Sequence, residues 1–241
     1  MCTVSYISRQ GRCFITSNRD EHISRPIALE PGEQIVNSVK LLFPKDPQAG
    51  GTWFAINEFG VVAVLLNGAF VNHERKLPYV RSRGLILLDV IANSEPQVVL
   101  QTMELKQVEP FTLVLYDGAD LLELRWDGEK KHLKQLDAGK DHIWSSVTLY
   151  DDEAIARRES LFDEFISTTK EITESKIVDF HSNNHQDFEN GFVIDRNTGL
   201  KTFSVTQMVL DQDQMAMQHF DLLNDRKYYI PFSPKTLETS K

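Results

Sequence analysis

Alternation of apolar and polar positions dominates the first part of the chain and predicts β-strands there rather than helices. Residues 2–7 and 12–18 carry β-branched and aromatic side chains on either side of Gln10-Gly11, a combination that predicts a hairpin. From Val61 to Asn67 the chain is almost continuously apolar. Such a run is typical of a strand that is buried on both faces, which indicates a layered structure.

Helical and strand patterns alternate in blocks along the rest of the chain. Predicted helices cover residues 83–92, with Ser82 as the cap, and 94–106, 151–169 and 173–180. Further predicted strands cover residues 50–57, 111–116, 121–126, 132–136, 202–210, 214–221 and 227–231. This order predicts an α+β protein with antiparallel sheets and helices on their outer faces. Because no internal repeat or linker is visible, we expect residues 1–241 to form one domain.

Residues 23–50 are predicted to be a long irregular connection, because they contain four prolines. Unstructured connections of this length are usually functional or wrap over a site. We therefore expect this segment to form part of a pocket wall.

Composition and charge exclude several classes of function. Of the 241 residues 41% are hydrophobic, which is enough for a full core, and the net charge is -9. An acidic chain without long basic runs is not expected to bind nucleic acid. The apolar run from Phe59 to Leu66 is far shorter than the roughly 20 residues of a membrane-spanning helix. The N-terminus lacks the pattern of a secretory signal, so we expect a cytoplasmic protein whose two cysteines, Cys2 and Cys13, are reduced.

Cys2 combines a thiol with a free α-amine once Met1 is removed. The amine titrates near about 7.7 to 8.0 and can take the thiol proton directly or through one water, so this nucleophile needs no separate histidine. We expect Asp20 to orient the ammonium group and Arg19 to favour the thiolate. The Asn67 amide is expected to donate a hydrogen bond to a developing oxyanion.

Strand alternation limits which of these residues share a face. It places Asn18 and Asp20 on one face and Ser17 and Arg19 on the other. All four can line one site only if the strand ends or bulges there.

Each candidate residue also has a purely structural explanation. Most unpaired cysteines are small buried apolar residues, and Cys2 fits that description. Arg19 with Asp20-Glu21 fits a solvated cluster of ion pairs, and Asn67-Gly68 fits a simple turn. Spacing alone does not decide between these explanations and a catalytic site.

No resident metal or cofactor is predicted from residue patterns. His181 and His185 lack the spacing partners of a zinc site and are expected to lie in a polar loop. Trp53, Trp126 and Trp144 are expected to be core residues rather than a stacking platform.

Several motifs occur together in the order of a known family. They are Cys2-Thr3-Val4, Asn18-Arg19-Asp20-Glu21, Gly50-Gly51-Thr52-Trp53, Ala63-Val64-Leu65-Leu66-Asn67 and Ser82-Arg83-Gly84. On these motifs the chain resembles the NRDE family, that of the transport and Golgi organisation protein 2, over about the first 90 residues. Beyond them the resemblance is weaker, although residues 142–146 are similar to a later family segment.

That family is similar to the N-terminal nucleophile hydrolases of the choloylglycine hydrolase and penicillin V acylase type. The resemblance implies a four-layer αββα sandwich and a site with these roles: Cys2, Asp20 and Asn67 as catalytic residues, and Asn18, Arg19, Glu21, Trp53, Arg83 and Ser146 as binding residues. Two departures argue against a bile-salt or penicillin substrate. The hydrolase arginine falls at Ser17, with Arg19 two positions later, and a second site asparagine is replaced near Ser145-Ser146.

Two functions follow from this resemblance. The first is a cysteine amidohydrolase that acts on a small amide or N-acyl substrate without a cofactor. The second is a non-catalytic binding or trafficking protein for haem or acyl lipid, as implied by the family's roles in secretory or Golgi organisation. If haem binds, Cys2, His22 or His73 is the expected axial ligand.

Overall fold

The computed structural model describes residues 3–74, 78–211 and 214–235, and within these ranges it contains thirteen strands and four helices. The strands are β1 (Thr3–Arg9), β2 (Arg12–His22), β3 (Leu29–Val36), β4 (Val39–Lys45), β5 (Phe54–Asn57), β6 (Val62–Asn67), β7 (Phe111–Tyr116), β8 (Leu121–Trp126), β9 (Lys131–Leu136), β10 (His142–Ser145), β11 (Leu200–Asp211), β12 (Gln214–Asp221) and β13 (Arg226–Phe232). The helices are α1 (Arg83–Ile91), α2 (Pro96–Thr102), α3 (Asp152–Thr168) and α4 (Glu174–His181).

The strands form two sheets whose described pairings are all antiparallel. The first sheet has the order β10-β1-β2-β11-β12-β13, and the second has the order β3-β4-β5-β6-β7-β8-β9. The second sheet follows chain order, whereas the first joins strands from both ends of the chain. In particular β2 pairs with β11 from Arg12 to His22, with one irregularity between Thr202 and Ser204. Strand β1 pairs with β2 only as far as Asn18, so among the described strands the last four residues of β2 are paired with β11 alone.

Three apolar clusters connect four layers. Between the two sheets Val4 and Tyr6 share one buried cluster with Phe54 and Val64. Helices α1 and α2 cover the outer face of the second sheet, and α3 and α4 cover the outer face of the first. The predicted αββα sandwich is confirmed. Within the described residues no helix is both long enough and apolar enough to cross a membrane.

Strand β6 explains the continuous apolar run in the sequence. Val62, Val64 and Leu66 face the cluster between the sheets, and Ala63 and Leu65 face the cluster under α1 and α2. A large aliphatic side chain contributes about 1.5 to 3 kcal/mol when it leaves water, so both faces favour burial. The prediction of a strand buried on both faces is confirmed.

The prediction of an irregular connection at residues 23–50 was wrong, because β3 and β4 form a hairpin there. Its two-residue turn, Asn37-Ser38, has positive φ at both positions, a geometry that suits the twist of paired strands. Pro31 lies where the pairing is irregular in an edge strand, a place that tolerates a missing backbone donor.

Three further details differ from the predictions. Strand β2 continues to His22, so residues 18–21 lie inside a strand. Helix α2 has Glu95 rather than Ser94 at its N-cap, without a capping side chain, and it ends at Thr102. His181 is the last residue of α4 and is fully buried, not part of a polar loop.

The start of α1 packs closely against the connection between β4 and β5. Ser82 caps the helix by accepting a hydrogen bond from the backbone N–H of Leu85, as predicted. A Cβ atom on Gly51 would lie 2.4 Å from the carbonyl carbon of Gly84, so this approach requires glycine. The contact brings the first turn of α1 beside Trp53.

Candidate active site

A cavity of about 570 Å³ is bordered by the end of β2, the connection between β4 and β5, the end of β6 and the start of α1. Its wall contains five of the predicted site residues: Arg19, Glu21, Trp53, Asn67 and Arg83. These residues come from four separate stretches of sequence. The fold therefore brings together most of the motifs on which the family resemblance depends.

Arg19 is only 2% exposed and lies in a cluster of four charged side chains. Its Nη2 atom is 3.3 Å from Asp46 Oδ2 and 3.7 Å from Glu21 Oε2, and Arg25 Nη2 is 2.7 Å from the same Asp46 oxygen. Burial lowers the pKa of Arg19, and the two carboxylates act against this change. Burial acts to raise the pKa of Asp46, but hydrogen bonds from the Ala49 backbone and Arg25 outweigh it, so this pKa is lowered.

Two buried N–H donors on the cavity wall have no acceptor in the described part of the chain. They are Arg19 Nη1 and Trp53 Nε1. The Arg19 guanidinium lies over the Trp53 ring, with Cζ 4.9 Å from the ring centroid. By contrast, Trp126 Nε1 donates to the Val108 carbonyl at 2.9 Å. Because buried donors are normally paired, two donors without an acceptor among the described residues are an exception on this wall.

Asn18 lies on the opposite face of β2, against α4. Its Nδ2 donates to the carbonyls of His181 and Phe192 at 2.8 and 2.9 Å. Its Oδ1 is 2.5 Å from His181 Nδ1, and His181 Nε2 is 2.7 Å from Ser5 Oγ. Burial lowers the pKa of His181 to about 3, so the ring is neutral, with Nδ1–H as donor and Nε2 as acceptor. Asn18 is thus fully engaged in the scaffold and does not line the cavity.

Asp20 shares this second face of β2. It accepts hydrogen bonds from Thr202 Oγ1 at 2.6 Å and Tyr150 Oη at 2.7 Å. The guanidinium of Arg158 lies 3.5 Å from the Tyr150 ring centroid and donates to Thr3 Oγ1. A buried polar network therefore joins Asp20 to the first described residue of β1. The role of Asp20 in orienting the N-terminal amine stays a prediction.

Ser146 is not part of the cavity wall, but it contacts Asn67, which is. Its hydroxyl donates to the Asn67 carbonyl at 2.9 Å. The neighbouring Gly68 has a φ of 80°, and a Cβ there would lie 2.6 Å from Val147 Cγ2. This close packing fixes the backbone at the end of β6, from which the Asn67 side chain reaches the cavity wall.

Cys2 lies outside the described residues, so its catalytic assignment stays a prediction. Its chain neighbour Thr3 begins β1 and pairs with Asn18, one position before Arg19. Consecutive Cα atoms are about 3.8 Å apart across a trans peptide. The start of β1 is therefore close to the part of β2 that borders the cavity.

Three residues of this region were missed by sequence reasoning. Asp46 and Arg25 belong to the segment that was expected to form a pocket wall, and both line the cavity, but no motif marked either residue. Arg158 is fully buried although it lies in a helix with many charged residues. Nothing in the local sequence indicates that Arg158 is buried, because its partners Thr3 and Gly191 are distant in the chain.

Of the predicted haem ligands, His22 and His73 are not on the cavity wall, and Cys2 lies outside the described residues. His22 pairs through Nδ1 with Ser24 Oγ at 2.7 Å, and His73 Nε2 is 3.4 Å from Glu109 Oε1. Among the described residues no group of three or more His, Cys, Asp or Glu side chains is arranged to hold a metal ion.

Two facing antiparallel sheets with helices on both outer faces define the sandwich of the N-terminal nucleophile hydrolases, and the cavity lies beside the start of β1. The family model Transport and Golgi organisation 2 matches residues 1–232, so the chain belongs to that family. A comparison with curated proteins finds no match.

Solved structures support the fold class. The C2A mutant of the conjugated bile acid hydrolase from Clostridium perfringens is 12% identical, with a TM-score of 0.56, over 96% of this chain and 92% of that chain. The Caenorhabditis elegans N-acylethanolamine-hydrolyzing acid amidase ortholog is 11% identical, with a TM-score of 0.58, over 86% and 92%. Penicillin V acylase from Agrobacterium tumefaciens is 12% identical, with a TM-score of 0.50, over 96% and 86%. At these identities the likeness concerns the fold alone.

Proposed function

We propose that this protein is a cysteine amidohydrolase of the N-terminal nucleophile type that acts on a small amide or N-acyl substrate. The observation that carries the proposal is the convergence of Arg19, Trp53 and Asn67 on one cavity beside the start of β1. The structural neighbours are named for conjugated bile acids, penicillin V and N-acylethanolamines, all of which contain an amide bond. The same bond type is the proposed point of attack here.

The proposed reaction needs no residue beyond this region. After loss of Met1, the α-amine of Cys2 takes the thiol proton, and the thiolate attacks the amide carbon. The Asn67 amide stabilises the resulting oxyanion. The ammonium group then gives its proton to the leaving amine as the C–N bond breaks. A water molecule, deprotonated by the same amine, attacks the thioester, releases the acid and restores the thiol.

Arg19 supports the thiolate in this proposal. It is a buried cation one position beyond Asn18, the pairing partner of Thr3. A positive charge near a thiol favours its ionised form. Asp20 is proposed to hold the ammonium group, supported by its rigid position between Thr202 and Tyr150.

Intact mass spectrometry with a limiting thiol alkylator tests the proposal. We expect mature protein without Met1 and rapid alkylation of Cys2. Cys13 is a control within the same chain, because it is buried and burial raises its pKa to about 12. Hydrolysis of an N-acyl probe is expected to be lost in Cys2→Ala. Active protein that retains Met1, or equal labelling of Cys2 and Cys13, would reject the mechanism.

Binding of haem or acyl lipid stays a prediction without specific support from this cavity. Its wall contains four arginines and three carboxylates, which do not form the apolar slot that a porphyrin face requires. Haem titration gives the decisive measurement. A Soret shift in wild-type protein that is lost in Cys2→Ala would favour haem, and no shift in either protein would remove it.

A further inference from the structure

Trp53 and Arg19 each have a buried N–H group without an acceptor in the described part of the chain. Both side chains are 2% exposed, so water does not solvate their unpaired N–H groups. Leaving a buried donor unsatisfied costs about 1 to 3 kcal/mol, and more for a charged group. The guanidinium lies over the indole ring, so the two side chains are in contact. An acceptor that reaches both N–H groups removes both penalties.

The charge of Arg19 is not needed to balance Asp46. Asp46 Oδ2 already accepts two hydrogen bonds from Arg25, at 2.7 and 3.1 Å. Its Oδ1 accepts from the backbone N–H groups of Gln48 and Ala49 at 2.9 and 3.1 Å. The contact from Arg19 to the same carboxylate is longer, at 3.3 Å. Arg19 Nη2 also lies 3.7 Å from Glu21 Oε2, so both carboxylate contacts use Nη2, and Nη1 has no acceptor among the described residues.

The surroundings of the cavity favour a negatively charged group over a neutral one. The nine-residue helix α1 begins at the wall, where Ser82, Arg83 and Gly84 present the positive end of its dipole. Arg83 pairs with Glu109, whereas Arg81 pairs with Asp89, which does not line the cavity. Each of the four arginines on the wall thus has a carboxylate within 3.3 Å, so the preference for an anion comes from the helix N-terminus and from Nη1 of the Arg19 cation, which has no acceptor among the described residues.

We propose that the cavity binds an oxyanion on the substrate, a carboxylate or a phosphate ester, through Arg19 Nη1 and Trp53 Nε1 beside the N-terminus of α1. This inference rests on the proposed function only in naming the same cavity as the substrate site. It assigns a specificity role to the two residues, separate from the amide that Cys2 attacks. A planar guanidinium and an indole N–H provide donors for both oxygens of a carboxylate.

Calorimetric binding of three probes to Cys2→Ala protein tests the proposal without turnover. The probes are N-dodecanoylglycine, its uncharged analogue N-dodecanoylglycinamide and dodecyl phosphate. We expect at least one of the two anions to bind about tenfold or more tightly than the neutral amide, as a lost hydrogen bond to a charged group predicts. The stronger anion identifies the oxyanion as carboxylate or phosphate.

Two variants locate the subsite. Trp53→Phe keeps an aromatic ring but removes the N–H, and Arg19→Lys keeps the charge but removes the fork of donors. Each is expected to reduce the preference for the anion about tenfold. Trp126→Phe is the matched control, because its N–H is already paired with Val108 away from the cavity, and it should retain the full preference.

The possible outcomes separate this inference from the proposed function. Equal binding of charged and neutral probes, no binding of either anion, or an unchanged preference in both variants overturns the oxyanion subsite. If wild-type protein binds N-dodecanoylglycine with the expected preference but does not hydrolyse any N-acyl probe, the subsite stands and the amidohydrolase mechanism fails. Thermal unfolding of each variant checks that it is folded.

Discussion

Strand β2 carries polar side chains on both of its faces, and the two faces differ in how those side chains are paired. On the helix side Asn18 and Asp20 are hydrogen-bonded to groups on neighbouring elements, including His181 and Tyr150. On the cavity side Arg19 has one nitrogen, Nη1, without an acceptor in the described part of the chain. A polar group whose partners are all supplied by the fold is a scaffold element. One whose partner is missing is available to a ligand.

The comparison predicts that polar residues on the helix side matter most for stability. Arg158→Leu is expected to lower the free energy of unfolding by about 3 kcal/mol or more, because it leaves buried acceptors on Thr3 and Gly191 unpaired. Urea unfolding measures the change. Arg157→Leu is the matched control, since its ion pair with Asp187 is half exposed and its loss should cost about 0.5 kcal/mol or less.

If both arginine variants cost the same, the buried network would not be what holds the start of β1. The asymmetry between the two faces of β2 would then have no energetic basis.

A pH dependence is expected from the neutral His181. Its pKa in the folded protein is about 3, below the ordinary 6.5, so below pH 6.5 the unfolded chain binds a proton that the folded chain does not. The free energy of unfolding should therefore fall as pH is lowered from 6.5 towards 4.5, by about 1.4 kcal/mol per pH unit once the unfolded histidine is charged. Urea unfolding at a series of pH values measures this slope.

His181→Gln separates this contribution from that of other groups. The variant should lose most of one histidine's share of the slope. His219, whose pKa is lowered to about 4 by burial, continues to contribute in the same direction. A slope equal to that of the wild type would show that His181 is not a neutral buried group.

The smallest expected effect concerns the cavity side. Trp53→Phe and Trp126→Phe remove the same atoms from buried sites, but only the second leaves an acceptor, the Val108 carbonyl, without its partner. In ligand-free protein Trp53→Phe should therefore be less destabilising, by about 1 kcal/mol. Thermal unfolding measures the difference. A larger loss in Trp53→Phe would mean that its N–H has a partner in the folded protein.

Local pattern was sufficient to predict most elements and part of the site. The β1–β2 hairpin, the two-sided burial of β6 and the Ser82 cap each depend on neighbouring residues, and all three were predicted correctly. The hairpin at residues 29–45 was not, because Pro31 is tolerated only where an edge strand leaves donors unpaired. That condition depends on the position of the strand within the sheet.

The sequence by itself determined the class of fold and the strand that carries Asn18 to Glu21, because periodicity reports which side chains seek burial. Only the tertiary structure decided what each of those side chains does. Pairing of β2 with β11 and packing against α4 gave Asn18 and Asp20 partners from residues more than 120 positions away. An ion pair with Asp46 and a contact with the Trp53 ring hold Arg19 on the cavity wall. Alternation along a strand separates two faces, but distant elements determine what covers each face.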